Sequence, residues 1–265
     1  MRKKVALAMF SCAFFAWLIL GCAPQPLTVT REPVELQVVT TDACGPLMTT
    51  LAEVYTVERA WVTVEVSVYN TTLAEERLRE GVADVAALSW VGADAPLWAT
   101  PFATDAIAIV AYPQVPADGL SQAQLQEIFR GRVGEWSDGV PIQVVSREAG
   151  AGTRVVFEAG VMGTFDVTLT AIVMPTDRHV LDYVAQTPGA IGYVSMGRLD
   201  AGAHVLALDG IRPTPETTAD YPLAYPLYLA ASSEPIGDAR AFVQWILGED
   251  GQRQVRRLFG PLPTQ

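Results

Sequence analysis

The sequence predicts an α/β fold with a mostly parallel sheet whose strands alternate with helices. Three stretches, at 34–55, 61–80 and 142–157, each run from a strand pattern through a polar turn into a helical pattern. That alternation is typical of βαβ units and a parallel sheet. In such sheets, ligands bind beyond the carboxyl ends of the strands. We therefore expect the polar turns to meet at one edge of the sheet and to form a binding site there.

A secretory signal is predicted at the start of the chain. Basic residues at 2–4 precede an apolar run over 5–20, which is typical of a signal peptide rather than a spanning helix. The run ends in Leu-Ile-Leu-Gly-Cys, similar to a lipobox, which implies a signal at 1–21 and a lipid on Cys22. An uncleaved membrane anchor is the alternative. The proline-containing segment 22–33 is predicted to be a tether, so we expect an extracytoplasmic protein anchored to the cell membrane.

The charge balance excludes a nucleic-acid partner. Cleavage of the signal would leave 15 basic residues, all of them Arg, against 29 acidic ones, a net charge of −14. Affinity for a phosphate backbone requires a basic face, which this composition lacks. A small anion remains an allowed ligand, because backbone N–H dipoles and one Arg act at contact range while distant charges are screened.

Cysteine and histidine are too sparse for a disulfide framework or a metal centre. Cys12 leaves with the signal and Cys22 is assigned to the lipid, so Cys44 remains alone. We interpret Cys44 as a small buried residue rather than a reactive thiol. His179 and His204 are the two histidines, and we predict neither a metal nor a cofactor.

The elements follow in order along the chain. Strands are predicted at 34–40, 61–68, 82–88, 102–112, 142–145, 190–194 and 205–208, and helices at 46–55, 73–80, 122–130, from 153, at 180–185, 237–247 and 250–258. Asp42 is a candidate N-cap of the first helix, and Ser121 with Gln124 forms a capping box on the third. The stretch 221–230 contains two prolines and is predicted to be an edge strand or irregular.

The turn before residue 153 has the chemistry of an anion cradle. The first N–H groups of a helix lack partners within it and carry the positive end of the helix dipole. Gly150 and Gly152 allow the backbone to approach a ligand closely, and Thr153 adds a hydroxyl. Arg147 supplies a fork of donors that matches a tetrahedral oxyanion. The alternative is a strand-to-helix turn whose glycines serve conformation alone.

Several separated motifs in one order resemble the PstS-like phosphate-binding proteins of ABC transporters. They are Ile-Phe-Arg-Gly-Arg-Val-Gly-Glu-Trp at 128–136, Val-Val-Ser-Arg-Glu-Ala-Gly-Ala-Gly-Thr-Arg at 144–154, Gly-Ala-Ile-Gly-Tyr at 189–193, Tyr-Pro-Leu-Ala-Tyr-Pro-Leu-Tyr at 221–228 and Gly-Gln-Arg-Gln-Val at 251–255. The resemblance covers residues from about Val34 to about Pro263. It implies the type II periplasmic-binding protein fold, with two α/β lobes, a hinge and a ligand cleft between the lobes.

The same resemblance implies a domain division and a function. Lobe I would comprise 34–105 plus 195–265 and lobe II 108–192, with crossing strands near 102–112 and 190–200. The protein would be a monomeric, lipid-anchored solute-binding protein, not an enzyme. It would capture a small oxyanion, phosphate first among them, for uptake through ABC permease subunits.

The ligand positions that the resemblance implies lie in four turns. They are Asp42 and Ala43, Asn70 and Thr71, Ser89, and the cradle residues Arg147, Gly150, Ala151, Gly152 and Thr153. Three positions depart from the family pattern: Asp42 replaces a neutral hydroxyl, Trp90 a polar group and Ala151 a serine. Each missing donor would leave an oxygen of the anion unpaired.

These departures leave alternatives open. Asp42 could accept a proton from hydrogenphosphate and repel sulfate, or it could cap its helix and point away from the site. We interpret Trp90 as packing at the lobe interface rather than stacking on a ligand. The alternative function is a binding or sensor module of the same fold with another ligand or none. A hydrolase is disfavoured, because Ser89 and Ser146 have no evident histidine partner.

Overall fold

The computed structural model describes residues 31–262. The predicted signal peptide, the predicted lipidation site Cys22 and the tether up to residue 30 lie outside this range. Within it, no helix combines the length and the apolar character that crossing a membrane requires.

Ten strands and seven α-helices make up the described part of the chain. The strands are β1 Val34–Thr41, β2 Val62–Tyr69, β3 Val85–Leu88, β4 Trp98–Ala111, β5 Gly119–Leu120, β6 Gln143–Arg147, β7 Ile172–Met174, β8 Ala190–Ser195, β9 His204–Leu208 and β10 Ala224–Ala231. The helices are α1 Gly45–Glu58, α2 Thr71–Arg79, α3 Gln122–Phe129, α4 Gly152–Phe157, α5 Asp177–Gln186, α6 Gly237–Leu247 and α7 Glu249–Val255. A π-helical turn, Glu158–Met162, continues α4, and a 3₁₀ turn, Met196–Arg198, follows β8.

The sheet is parallel in its outer parts and antiparallel in the middle. Its main path runs β2-β1-β3-β10-β4-β8-β6-β7. β1 is parallel to β2 and β3, and β6 is parallel to β7 and β8. β10 is antiparallel to β3 and β4, and β4 is antiparallel to β8. The predicted parallel sheet is therefore confirmed for the strands that carry the polar turns, but not for the central ones.

β4 links the two parallel groups. It has 14 residues; residues 98–106 pair with β10 and residues 107–111 pair with β8. β10 has a neighbour on both sides over residues 228–230, so the prediction of an edge strand is wrong there. The alternative of an irregular strand agrees with the register shift between Leu227 and Tyr228. Pro226 lies where β4 is the paired neighbour and β3 is not, which is why a residue without an N–H is tolerated.

Buried aromatic side chains hold the elements near the predicted cradle. Phe157 of α4 stacks on Tyr193 of β8 at 4.0 Å between ring centroids, and Phe129 of α3 lies 4.6 Å from Phe157. The Tyr193 hydroxyl also contacts the Ser146 hydroxyl at 3.0 Å and accepts from the Arg147 N–H at 3.3 Å. The end of β6 and the end of α4 are therefore attached to β8.

The starts of α1 and α5 differ from the prediction in ways that helix capping describes. α1 begins at Gly45 with Cys44 at its N-cap and no side-chain cap, so the prediction that Asp42 caps this helix is wrong. α5 begins at Asp177, three residues before the predicted start at 180, because the Thr176 hydroxyl accepts from the His179 N–H at 3.2 Å and caps the helix. Cys44 is fully buried, as predicted.

Candidate anion-binding site

A cavity of about 250 Å³ lies at the carboxyl ends of β1, β2, β3 and β6. Nine of the ten predicted ligand positions line it: Asp42, Ala43, Asn70, Thr71, Ser89, Arg147, Ala151, Gly152 and Thr153. Its volume is enough for a small ion with a few waters and is below the usual range for drug-sized ligands. The fold therefore brings turns that are up to about 110 residues apart in the chain to one edge of the sheet.

The tenth position, Gly150, acts through its backbone. Its φ of +87° is a conformation that glycine adopts without strain. Its carbonyl accepts from the Thr71 N–H at 3.0 Å, which joins the cradle turn to the start of α2. A Cβ on Gly150 would lie 3.1 Å from the Thr72 hydroxyl, so the glycine also permits this close approach.

Gly152 brings the start of α4 against the turns that follow β2 and β3. A Cβ at this position would lie 2.7 Å from the Ser89 Cβ and 2.8 Å from the Thr71 Oγ1. Both separations are shorter than van der Waals contact, so the site closes to this distance only with glycine. Ala151 is the N-cap of α4 and provides no side-chain cap, so its loss of a hydroxyl leaves the first N–H groups of the helix to other partners.

Arg147 is the buried cation of the site, with 3 % of its surface exposed. Its Nη1 contacts Asp177 Oδ1 and donates to the Thr153 hydroxyl at 3.3 Å, and its Nη2 donates to the Pro175 carbonyl at 3.0 Å. Its Nε is buried without a hydrogen-bond partner. Burial lowers the pKa of the Arg147 guanidinium, and the Asp42 carboxylate opposes that shift.

Asp42 points into the site. Its Oδ2 accepts from the backbone N–H of Asp177, the first residue of α5, at 2.6 Å. The same oxygen lies 3.5 Å from Arg147 Nη1, and Oδ1 lies 3.8 Å from Arg198 Nη2. The alternative in which Asp42 points away is therefore wrong. Two guanidinium groups and a helix N-terminus therefore surround this carboxylate.

The hydroxyl and amide side chains of the site differ in how many hydrogen bonds they already make within the protein. The Thr71 hydroxyl oxygen is buried without a partner. The Asn70 side chain caps α2 by accepting from the Leu73 N–H at 3.0 Å. The Ser89 hydroxyl contacts the Thr41 hydroxyl at 2.9 Å, and each oxygen keeps further capacity. The Thr71 hydroxyl therefore has its full hydrogen-bonding capacity unused within the described residues.

Sequence reasoning missed Asp177. Asp177 is fully buried against Arg147, and the Thr-Asp pair at 176–177 before a helical pattern was the helix-start signal that could have located it. Trp90 is 41 % exposed and does not line the cavity, which agrees with the expectation that it does not stack on a ligand. Its packing at the lobe interface stays a prediction. Across residues 31–262, no cluster of His, Cys, Asp and Glu is suited to hold a metal ion.

Comparison with known proteins identifies the family. A family model described as "PBP superfamily domain" matches residues 27–250. The chain belongs to the PBP superfamily. The phosphate-binding protein PstS of Bacillus subtilis is 26 % identical over 235 residues, which cover 84 % of this chain and 78 % of that protein. PstS of Pseudomonas aeruginosa is 26 % identical over 271 residues, with 87 % and 84 % covered.

Solved structures of PBP superfamily members show the same fold. A putative phosphate ABC transporter substrate-binding protein from Clostridium perfringens, solved with bound phosphate, superposes with a TM-score of 0.81 at 24 % identity, covering 87 % of this chain and all of that one. An ABC-type phosphate transport receptor from Vibrio cholerae gives a TM-score of 0.71 at 25 % identity, covering 86 % and 100 %. The predicted type II periplasmic-binding fold and the PstS-like resemblance are confirmed, and with them the assignment to binding proteins rather than enzymes.

Proposed function

We propose that this protein is an extracytoplasmic solute-binding protein that captures a small tetrahedral oxyanion, phosphate foremost, for uptake through an ABC permease. The similarity to PstS proteins supports the ligand class and the transport role. The resemblance to a lipobox supports a lipid anchor on Cys22. Loss of lipid labelling in Cys22→Ser, with the protein still secreted, is the expected result; labelling that persists would exclude this anchor.

The proposed lobes are 34–105 plus 195–265 and 108–192, and they meet at the site. The change of β4 partner from β10 to β8 supports this division, because each parallel group of strands then belongs to one lobe. Hydrogen bonds from Thr71 to Gly150 and from Asp177 to Asp42 then cross the cleft. These two bonds support a closed arrangement of the proposed lobes, as expected for a hinge that closes around a ligand.

The observation that carries the proposal is the unpaired Nε of Arg147. Leaving a buried charged donor without a partner costs about 1–3 kcal/mol or more. An oxyanion in the adjoining cavity would accept from this group and from the partnerless Thr71 hydroxyl. Charge-assisted bonds from Arg to phosphate are among the strongest hydrogen bonds in proteins.

Asp42 would select the protonation state of the ligand. Its carboxylate can receive the proton of hydrogenphosphate but repels sulfate, which has no proton to donate at neutral pH. Asp42→Asn is expected to raise the affinity for sulfate relative to phosphate by at least about tenfold. An unchanged ratio in calorimetric titrations would remove Asp42 from ligand selection.

Calorimetric titration of the mature protein with phosphate tests the main proposal. Wild type should bind phosphate, and Arg147→Ala should bind at least about 100-fold more weakly, because it removes the buried cation. Arg178→Ala is the matched control: Arg178 is 58 % exposed and pairs with Asp182 and Asp200 on the surface. Equal losses in both variants, or no loss in Arg147→Ala, would contradict the proposed site.

A module of the same fold with another ligand or none is the second candidate. It is favoured by the two carboxylates, Asp42 and Asp177, that already surround Arg147 and neutralise it without a ligand. No heat with phosphate, arsenate, sulfate or molybdate from a folded wild-type protein would support this candidate over the first.

A further inference from the structure

Ser195, at the end of β8, makes three hydrogen bonds although its side chain does not reach the cavity. It is fully buried. Its backbone N–H donates to Asp177 Oδ2 at 3.0 Å, and its hydroxyl donates to Asp105 Oδ2 at 2.6 Å. The same hydroxyl accepts from the Gly197 N–H at 3.2 Å. Ser195 is therefore bonded to three separate elements.

The bond to Asp177 leads directly to the buried cation. Asp177 is also fully buried, and while its Oδ2 accepts from Ser195 its Oδ1 contacts Arg147 Nη1. A carboxylate that is held at both oxygens has one orientation in which both contacts are made. The position of the Ser195 backbone therefore sets where Asp177 holds the guanidinium.

The bond to Gly197 leads to the second arginine. Ser195 caps the 3₁₀ turn Met196–Arg198, and Arg198 lies 3.8 Å from Asp42 Oδ1. The turn has little room to move, because a Cβ on Gly197 would lie 2.2 Å from the ring of Phe259. Ser195 is thus bonded both to Asp177, the partner of Arg147, and to the turn that carries Arg198.

The bond to Asp105 anchors this arrangement in the central strands. Asp105 is fully buried on β4, and it also accepts from the Tyr225 hydroxyl of β10 and from the Ala106 N–H. In register, Asp105 is opposite Tyr225 on β10, whereas Ile107 is opposite Ser195 on β8. The carboxylate therefore joins three strands at the point where β4 exchanges one neighbour for the other.

We infer that Ser195 is a positioning residue for anion binding. It orients Asp177, and through it Arg147, and it ties this pair to the strands that connect the two parallel groups. Ser195 does not line the cavity. Its hydroxyl, bonded to Asp105 and to the Gly197 N–H, holds the backbone whose N–H donates to Asp177. Removing the hydroxyl therefore alters ligand binding by moving that backbone N–H. The test of this inference by phosphate affinity rests on the proposed function.

A calorimetric comparison of two hydroxyl deletions tests the inference. Ser195→Ala should weaken phosphate binding by about tenfold, since couplings within one hydrogen-bond network are of this order. Tyr221→Phe is the matched control. The buried Tyr221 hydroxyl donates at 2.9 Å to the carbonyl of Ile107, which lies on β4 like Asp105, and it makes no bond to Asp177. Tyr221→Phe should leave the affinity unchanged. Equal affinities in Ser195→Ala and wild type would overturn the inference.

A double-mutant cycle shows whether Ser195 acts through Asp177. In an Asp177→Asn background, Ser195→Ala should change the phosphate affinity by less than about twofold. A full, additive loss in that background would overturn the positioning role. If Ser195→Ala does not fold, Asp105→Asn replaces it in the same cycle with the same two outcomes.

A ligand-free measurement separates this inference from the phosphate proposal. The Nε–H resonance of Arg147 in ¹⁵N NMR, assigned by its loss in Arg147→Lys, should shift in Ser195→Ala and stay in place in Tyr221→Phe. A wild type that does not bind phosphate would defeat the proposed ligand and leave this readout intact. An unshifted resonance in Ser195→Ala would defeat the positioning role whatever the ligand is.

Discussion

The anion site and the Asp105 cluster are both buried and polar, but they differ in how far their hydrogen bonds are satisfied. At the site, Arg147 Nε and the Thr71 hydroxyl have no partner. At the cluster, Asp105 accepts from Ser195, Tyr225 and Ala106. Buried polar groups with complete partners specify one arrangement of the chain, whereas incomplete ones carry a penalty that a ligand can remove. We therefore assign ligand binding to the first region and the positioning of the binding groups to the second, both as proposals.

The largest expected effect concerns the charge of Asp105. Burial raises the pKa of Asp105 from 3.8 to about 6, although the bonds from Ser195 and Tyr225 lower it. The folded state therefore binds the proton more tightly than the unfolded state. The contribution of Asp105 to the free energy of unfolding should fall by on the order of 3 kcal/mol as pH rises from about 4 to about 6, and it should then level off.

Urea unfolding between pH 4 and pH 7 measures this contribution. The difference in unfolding free energy between wild type and Asp105→Asn should show this pH dependence, because the contributions of the other carboxylates are the same in both proteins and cancel. A flat difference would mean that Asp105 ionises as freely as in water, and the comparison between a structural and a ligand-binding region would fail.

A pair of smaller deletions separates the two regions directly. Thr71→Val should weaken phosphate binding by about tenfold and leave stability unchanged or higher, because the deleted hydroxyl has no partner in the free protein. Tyr225→Phe should cost about 1–3 kcal/mol of stability, because it takes one donor from a buried carboxylate. Calorimetry measures the phosphate affinity of both variants, and urea unfolding measures their stability. If Thr71→Val is the less stable of the two, the assignment of the two regions is contradicted.

The smallest effect is expected at the contact between α4 and the turn after β3. Gly152→Ala would place a methyl 2.7 Å from the Ser89 Cβ, so the cleft should close less completely and phosphate affinity should fall severalfold. Gly134→Ala is the control, since a Cβ there meets nothing within 4 Å. Matching affinities for the two variants would show that this close contact is not needed for binding.

Local patterns were enough to predict an α/β fold and the edge of the sheet where the polar turns meet, whereas the type II fold and the individual ligand positions came from the family resemblance. The three strand–turn–helix junctions place Asp42, Asn70, Thr71 and the cradle turn at one sheet edge, because the carboxyl ends of parallel strands coincide. The order of the central strands was not predictable in this way. β10 lies between β3 and β4 although it is the last strand in the chain, and pairing over such separations leaves little local trace.

By itself, the sequence determined the conformations open to the cradle turn: Gly150 supplies a positive φ, Gly152 a close approach and Arg147 a permanent charge. The tertiary structure alone decided the partners of these groups. Asp42 was a reasonable helix cap on local grounds, yet it accepts from α5, 135 residues away in the chain. A buried charge takes whichever partner the packed chain brings within hydrogen-bond distance, because leaving it unpaired costs more than forgoing a local cap.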